Sequence, residues 1–170
     1  MRGLTFVCLA TIQSAAGAAV LPQEIFRALD SVDGLETIKA WLEARGDPDA
    51  MEPVQGGTML HWAAARGNVG LTKLLLKHGG AVNVHAERGG GPTPLILAAG
   101  KGHVETVKLL LAAQGDPDDK DDRGVSALMY AEAEERRFQE QHKHAADGEH
   151  VVAKLLRAAK QRLADAKDEV

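Results

Sequence analysis

The sequence has one cysteine, Cys8, which excludes an internal disulfide framework. Aromatic residues make up only 4% of the chain, while apolar residues make up 45%. Helices packed through leucine and alanine fit that balance better than an aromatic-rich sheet core. No apolar run approaches the ~20 residues of a membrane span, so no membrane partner is expected. The formal net charge is −4, which gives no general attraction to nucleic acid or acidic lipid. A Gly-rich phosphate loop ending in Lys-Ser/Thr, a nucleophile elbow and a metal-ligand motif are all missing. The chain is therefore expected to be no enzyme and to carry no cofactor.

The most informative stretch is GPTPLILAAGKGHVETVKLLLAAQG, residues 91–115. Thr93 is a natural N-cap, and Pro94 suits a first helical turn, where its missing N–H is not needed. Leu95, Leu97, Ala98 and Ala99 make a short, slim apolar helix, which Gly100 and Gly102 break. Residues 103–113 predict a second helix with Val104, Val107, Leu110 and Leu111 on one face. Gly115 is expected to close it in the left-handed conformation. Two such helices cannot bury both apolar faces alone and need a neighbour of the same shape.

The neighbours are present. Thr58, Leu60, Ala63, Ala64, Gly67, Leu74, Leu75 and Gly79 repeat the pattern upstream; Ser126, Leu128, Ala131, Val151, Val152, Leu155 and Leu156 repeat it downstream. Leu60 to Leu95 is 35 residues and Leu95 to Leu128 is 33, the period of a stacked array. The stretches TPLILAAGKGHVETVKLLL (93–111), TMLHWAAARGNVGLTKLLLKHGG (58–80), GDPDDKDDRGVSAL (115–128) and AVN (81–83) carry a clear likeness. On them the chain resembles the ankyrin-repeat family, closely over about residues 34–131 and loosely elsewhere. The resemblance implies an all-α solenoid of stacked helix-turn-helix pairs joined by β-turn loops.

In chain order, residues 1–21 have two readings: a weak secretory or organelle-targeting leader, or a frayed N-terminal segment. Residues 22–170 read as the repeat domain. Residues 22–50 form a degenerate first repeat, in which Trp41 stands where other copies have Leu74 and Leu109, and GDPD at 46–49 matches GDPD at 115–118. Regular repeats cover 56–85 and 91–119. The loop 81–92 is two residues longer than usual and reads as a slack connection or a projecting finger carrying His85, Glu87 and Arg88.

The last repeat, 124–167, is interrupted. Leu128 to Leu155 is 27 residues, against 14 for Leu95 to Leu109, so about 13 residues are inserted. The insertion, about 132–150, predicts a first helix running on to about Ala145 and a turn at Asp147–Gly148. The last helix is expected to turn Val152, Leu155, Leu156, Ala159 and Leu163 inward. Leu75, Leu110 and Leu155 should lie between neighbouring repeats.

Two tempting metal readings fail. The five aspartates of residues 115–124 lack the spacing of a calcium loop, since counting from Asp119 puts Tyr130 at the position that needs a bidentate glutamate. They read instead as turn caps that accept backbone N–H groups. His142 and His144 fall on different faces of a helix.

The resemblance assigns Thr58 and His61 to a polar tie at a helix start, and Asn83 to a brace for the turn. It also implies protein–protein recognition through turn tips and the exposed side of the first helices. Carried over by position, the surface residues are Val54 and Gln55, Asp122 and Arg123 before turn glycines. His85 and Lys120 lie in the loops, with Glu87 and Arg88 on the finger. Arg66, Lys101 and Glu134 follow the paired small residues of the first helices. A monomeric, cytoplasmic module that binds another protein is expected. The alternatives are a secreted or organelle-targeted effector, or a structural fragment of a larger ankyrin protein.

Overall fold

The structure is a computed structural model that describes residues 20–29, 31, 34–52, 56–87, 91–141 and 151–168, without the side chains of 138–141 and 166–168. The expectations for residues 1–19, for the turn at Asp147–Gly148 and for His142 and His144 fall outside these residues. The described chain forms eight helices: α1 Gln23–Ala28, α2 Gly34–Glu43, α3 Met59–Arg66, α4 Val69–Lys77, α5 Pro94–Gly100, α6 Val104–Ala112, α7 Ala127–Gln141 and α8 Val151–Asp168. Among the described residues the only β pairing is three isolated bridges.

Successive helices pair as antiparallel hairpins, and the pairs stack. α3 packs on α5 and α5 on α7 in an inner row, while α2, α4, α6 and α8 form an outer row. The alanines make the close inner stacking possible: Ala63, Ala64, Ala98, Ala99 and Ala131 are all buried. Leu60 and Leu95 fill the space between the rows, and Leu75, Leu110 and Leu156 line the outer helices. Each apolar face is covered only by the next pair.

Short helices need their ends satisfied. Thr93 Oγ1 accepts from Ile96 N–H at 3.3 Å, and Asn68 Oδ1 accepts from Leu71 N–H at 3.0 Å. At α3, Thr58 and His61 form a reciprocal capping box. Thr58 N–H donates to His61 Nδ1 at 3.0 Å, and His61 Nε2 reaches Val84 O, in the next loop, at 3.0 Å. Because Nδ1 accepts, Nε2 carries the proton and the ring is neutral. Burial disfavours the charged form and lowers the His61 pKa to about 4, although the Val84 carbonyl pulls the other way.

α2, α4 and α6 each close with a glycine N–H reaching back five residues: Gly46 to Trp41 O at 2.9 Å, Gly80 to Leu75 O at 3.0 Å, Gly115 to Leu110 O at 2.8 Å. This corrects two expectations. Trp41 is the counterpart of Leu75 and Leu110, not of Leu74 and Leu109. The left-handed residue is Gln114, with φ 66°, rather than Gly115. Gly115 is required for space, since a Cβ there would lie 2.9 Å from Leu110 O.

The last repeat departs from the others as the period break implied. α7 has 15 residues where α3 has 8 and α5 has 7. In α8 the buried stripe is Val152, Ala153 and Leu156, with Leu155 and Ala159 only partly covered. Leu163 does not face inward; it is 42% exposed. α8 is twice as long as α6, 18 residues against 9, so Leu163 lies about three turns along it, past the end of the helix that would cover it.

Three measurements test this packing. Leu110→Ala should lower unfolding free energy by about 2–5 kcal/mol in urea, because Leu110 is wholly buried; a loss under about half a kcal/mol would mean the stacking register is wrong. Thr106 Oγ1 is buried without a hydrogen-bond partner among the described residues, so Thr106→Val should raise stability by about 1 kcal/mol. The third concerns acid. The unfolded chain protonates His61 near 6.5 and the folded chain only near 4, so its contribution is full above pH 6.5 and is lost as pH falls toward 4. The expected loss is on the order of 3 kcal/mol, and His61→Gln should flatten the fall in urea midpoint between pH 7 and 4.5.

Candidate interaction surface

Three hairpin loops precede α3, α5 and α7, and one backbone bond recurs at the neck of each. Glu52 N–H donates to Gly57 O at 2.9 Å, Ala86 N–H to Pro92 O at 3.3 Å and Asp121 N–H to Val125 O at 3.1 Å. Six positions separate the partners in the middle loop and four in the last, which is the two-residue excess counted from the sequence.

Neighbouring loops brace one another through equivalent side chains. Asp49 Oδ1 accepts from Ala81 N–H at 2.7 Å. Asn83 Oδ1 accepts from Asp116 N–H at 2.9 Å, while its Nδ2 donates to Gln114 O at 3.1 Å. Asp118, the third copy, binds Lys160 Nζ of α8 at 2.6 Å. Nearer the tips, Glu87 N–H donates to Gly56 O at 3.0 Å. Asp122 packs so closely on Gly91 that a Cβ there would meet Asp122 Oδ1 at 2.6 Å.

The aspartates of the last loop act as turn caps. Asp116 Oδ1 accepts from Asp118 N–H, and Asp121 Oδ1 accepts from both Arg123 and Val125 N–H, each at 2.9 Å. Tyr130 OH donates to Asp121 Oδ2 at 2.9 Å. Desolvation pushes the Asp121 carboxyl up, but the bonds from Val125, Tyr130 and Arg123 outweigh it and hold it below the usual carboxylate range. The same bond to Asp121, with burial, pushes the Tyr130 phenol above its ordinary value.

The other group of surface residues lies at the far ends of the inner helices. Arg66 is the last residue of α3, Lys101 caps α5, and Glu134 holds the matching place in α7. The Arg66 guanidinium stands 5.1 Å from the centroid of the Trp62 ring, which meets Phe26 edge-on at 5.3 Å. Glu134 is paired with Arg137 at 2.8 Å. The row therefore reads basic, basic, acidic along the array.

The candidate residues thus fall into two groups. Arg66 and Lys101, at helix ends, and Glu134, at the matching place midway along α7, form one row. His85, Glu87, Lys120, Asp122 and Arg123 sit on the loops, about one inner-helix length away, roughly 11 Å for eight residues. Val54, Gln55 and Arg88 lie outside the described residues. Trp62 and Tyr130 escaped notice in the sequence, although they and Leu97 occupy one equivalent position in three successive repeats. Reading that column together exposes a half-buried apolar line beside the charged row. Among the described residues no cluster of three or more His, Cys, Asp or Glu is placed to hold a metal. No described helix is long and apolar enough to cross a membrane.

Comparison with known proteins agrees with this architecture. The family model described as ankyrin repeats (3 copies) matches residues 25–121 and 82–138. The E3 ubiquitin-protein ligase KEG of Arabidopsis thaliana is 32% identical over 120 residues, 71% of this chain and 7% of that protein. Human ankyrin repeat domain-containing protein 63 is 46% identical over 61 residues, 36% of this chain and 16% of its own length. Human ankyrin repeat domain-containing protein SOWAHD is 33% identical over 118 residues, 64% of this chain and 37% of its own length. The chain thus spans a small part of the curated relatives it matches. Ankyrin repeats serve in general as protein–protein interaction modules. With a family match across most of its length and the stacked helix pairs described above, this chain belongs to the ankyrin-repeat family.

Proposed function

We propose that this chain is a non-enzymatic recognition module that binds another protein through its concave inner-helix face and its loop tips. The observation that supports it most is the charged row at the ends of the inner helices. Arg66 and Lys101 stand at equivalent places in adjacent repeats, and Glu134 follows at the third. A partner segment crossing the array would meet two positive charges and then a negative one. An acidic stretch facing Arg66 and Lys101 is the complementary chemistry. Trp62 stiffens the first of these contacts, because an arginine laid over an aromatic ring loses little freedom when it binds.

The stacked scaffold supports the same reading. Its loops are held by main-chain bonds and by the Asp49, Asn83 and Asp118 braces. A surface already ordered loses little entropy on association. Loop residues Glu87, Lys120, Asp122 and Arg123, with Val54, Gln55 and Arg88, would set specificity at the edge of the contact. A monomeric array in a cytoplasmic setting goes with this proposal. A second reading is an array that docks partners for other domains of a larger protein; the small share of each relative that this chain spans favours it.

The test is a quantitative pull-down with wild type and the Arg66→Glu/Lys101→Glu double variant. A small set of proteins should be lost with the variant, while its thermal midpoint stays nearly unchanged. The substitutions remove the Arg66 stacking contact, about 0.5–1 kcal/mol at an exposed site, and leave the buried stacking faces untouched. Identical protein lists would overturn the assignment of binding to this row.

A further inference from the structure

His85 stands where the middle hairpin loop meets the last one. Its Nδ1 lies 2.7 Å from Gly91 O, across the neck of its own loop. Its Nε2 lies 3.0 Å from Asp119 Oδ2, in the loop of the next repeat. Both partners are acceptors: a carbonyl oxygen and an ionised carboxylate have no proton to give. A neutral imidazole carries one N–H, so its second nitrogen would turn a lone pair toward an oxygen lone pair at hydrogen-bonding distance. Only the imidazolium donates to both.

We propose that His85 is a proton-operated clasp between adjacent loops, joining Gly91 and Asp119 when protonated and releasing one of them when neutral. Gly91 is the corner on which the clasp turns. It has φ +60°, and Asp122 packs against it too closely to admit a side chain. The loops joined here carry Glu87, Lys120, Asp122 and Arg123, so the clasp governs their spacing. It operates within the chain itself and does not depend on the partner proposed above.

The groups facing His85 come from three elements. Its own loop supplies the Gly91 carbonyl; the last loop supplies Asp119 and Asp122; α3 supplies His61, whose Nε2 is committed to Val84, the residue before His85. The Gly91 carbonyl favours the imidazolium most, burial opposes it, and the two carboxylates add to the first effect, so the His85 pKa rises above 6.5. His61 stays uncharged down to about 4 and offers little repulsion above that. The sign is therefore opposite to that of His61. The clasp contributes fully below pH 6.5 and is lost as pH rises through the folded-state value.

NMR titration of the full chain from pH 5 to 9 tests the clasp. It follows the imidazole Cε1–H signal of His85 together with the amides of Ala86 and Glu87, which donate to Pro92 O and Gly56 O. His85 should titrate above 6.5, and both amide signals should move with the same midpoint. Asp119→Asn should lower that midpoint, because a carboxylate that favours the imidazolium is removed. In His85→Gln the amides should not respond in this window. A midpoint at or below 6.5, amides indifferent to it, or an unchanged midpoint in Asp119→Asn would each overturn the proposal. Should the glutamine variant unfold, the wild-type titration and Asp119→Asn decide the matter alone. His61, with its midpoint near 4, lies outside the window.

Discussion

A pair of short helices has two apolar faces and can cover only one of them itself. The rest of this structure follows from that shortfall. Each pair must present its second face to the next pair, and the inner helices must approach closely enough to exclude water. Alanine satisfies that need on α3, α5 and α7, because a larger side chain at Ala63, Ala98 or Ala131 would hold the helices apart. Closeness then leaves no room for long connections, so the loops fold back as narrow hairpins with one recurring bond at the neck. Met129 occupies the position of His61 and Ile96, both buried, and is itself 51% exposed.

Stacking apolar faces sets spacing but does not fix the angle of one loop against the next. That is done by a polar series at one place in each repeat: Asp49, Asn83 and Asp118. The first two accept a backbone N–H from the following loop. The third bonds to Lys160 of α8 instead. The same position thus serves two chemistries. A short acceptor suffices where a main-chain donor comes to it, and a carboxylate is needed where the donor is a charged side chain. Asparagine works at the middle place because it also donates, closing on Gln114 O.

The period of 35 and 33 residues made the fold legible, as did the Thr93–Pro94 start and the 27-residue gap that marks the insertion. What escaped were effects decided by one atom or by a distant residue. Tryptophan breaks the leucine pattern and hides the place of Trp41, although counting five residues back from the matched GDPD copies already sets it against Leu110, as the bond from Gly46 does. Gly115 resembles a left-handed residue in sequence, yet a glycine needed for space and one needed for its φ look the same as a letter. Leu163 keeps helical phase with Leu156 but has run past its neighbour, a matter of relative helix length that periodicity does not encode. At the site, the positions of Arg66 and Lys101 could be read from the repeat. The stacking of Arg66 on Trp62 and the pairing of Glu134 with Arg137 required coordinates, because rotamers decide them.

The two histidines show most plainly why residue type underdetermines role. His61 and His85 are close enough to influence each other's charge, yet their pKa values move in opposite directions. His61 meets a donor at one nitrogen and an acceptor at the other, so a neutral ring satisfies both. His85 meets acceptors at both, so a neutral ring can satisfy only one of them. Burial reinforces the first outcome, and the carboxylates of the last loop reinforce the second. The difference lies in the partners that stacking brings forward, Val84 for one and Asp119 for the other. Asp119 is supplied by the repeat that follows, Val84 by the loop that closes His61's own repeat. The pair of acceptors around His85 is therefore a property of the joint between repeats, and no single repeat in isolation would possess it.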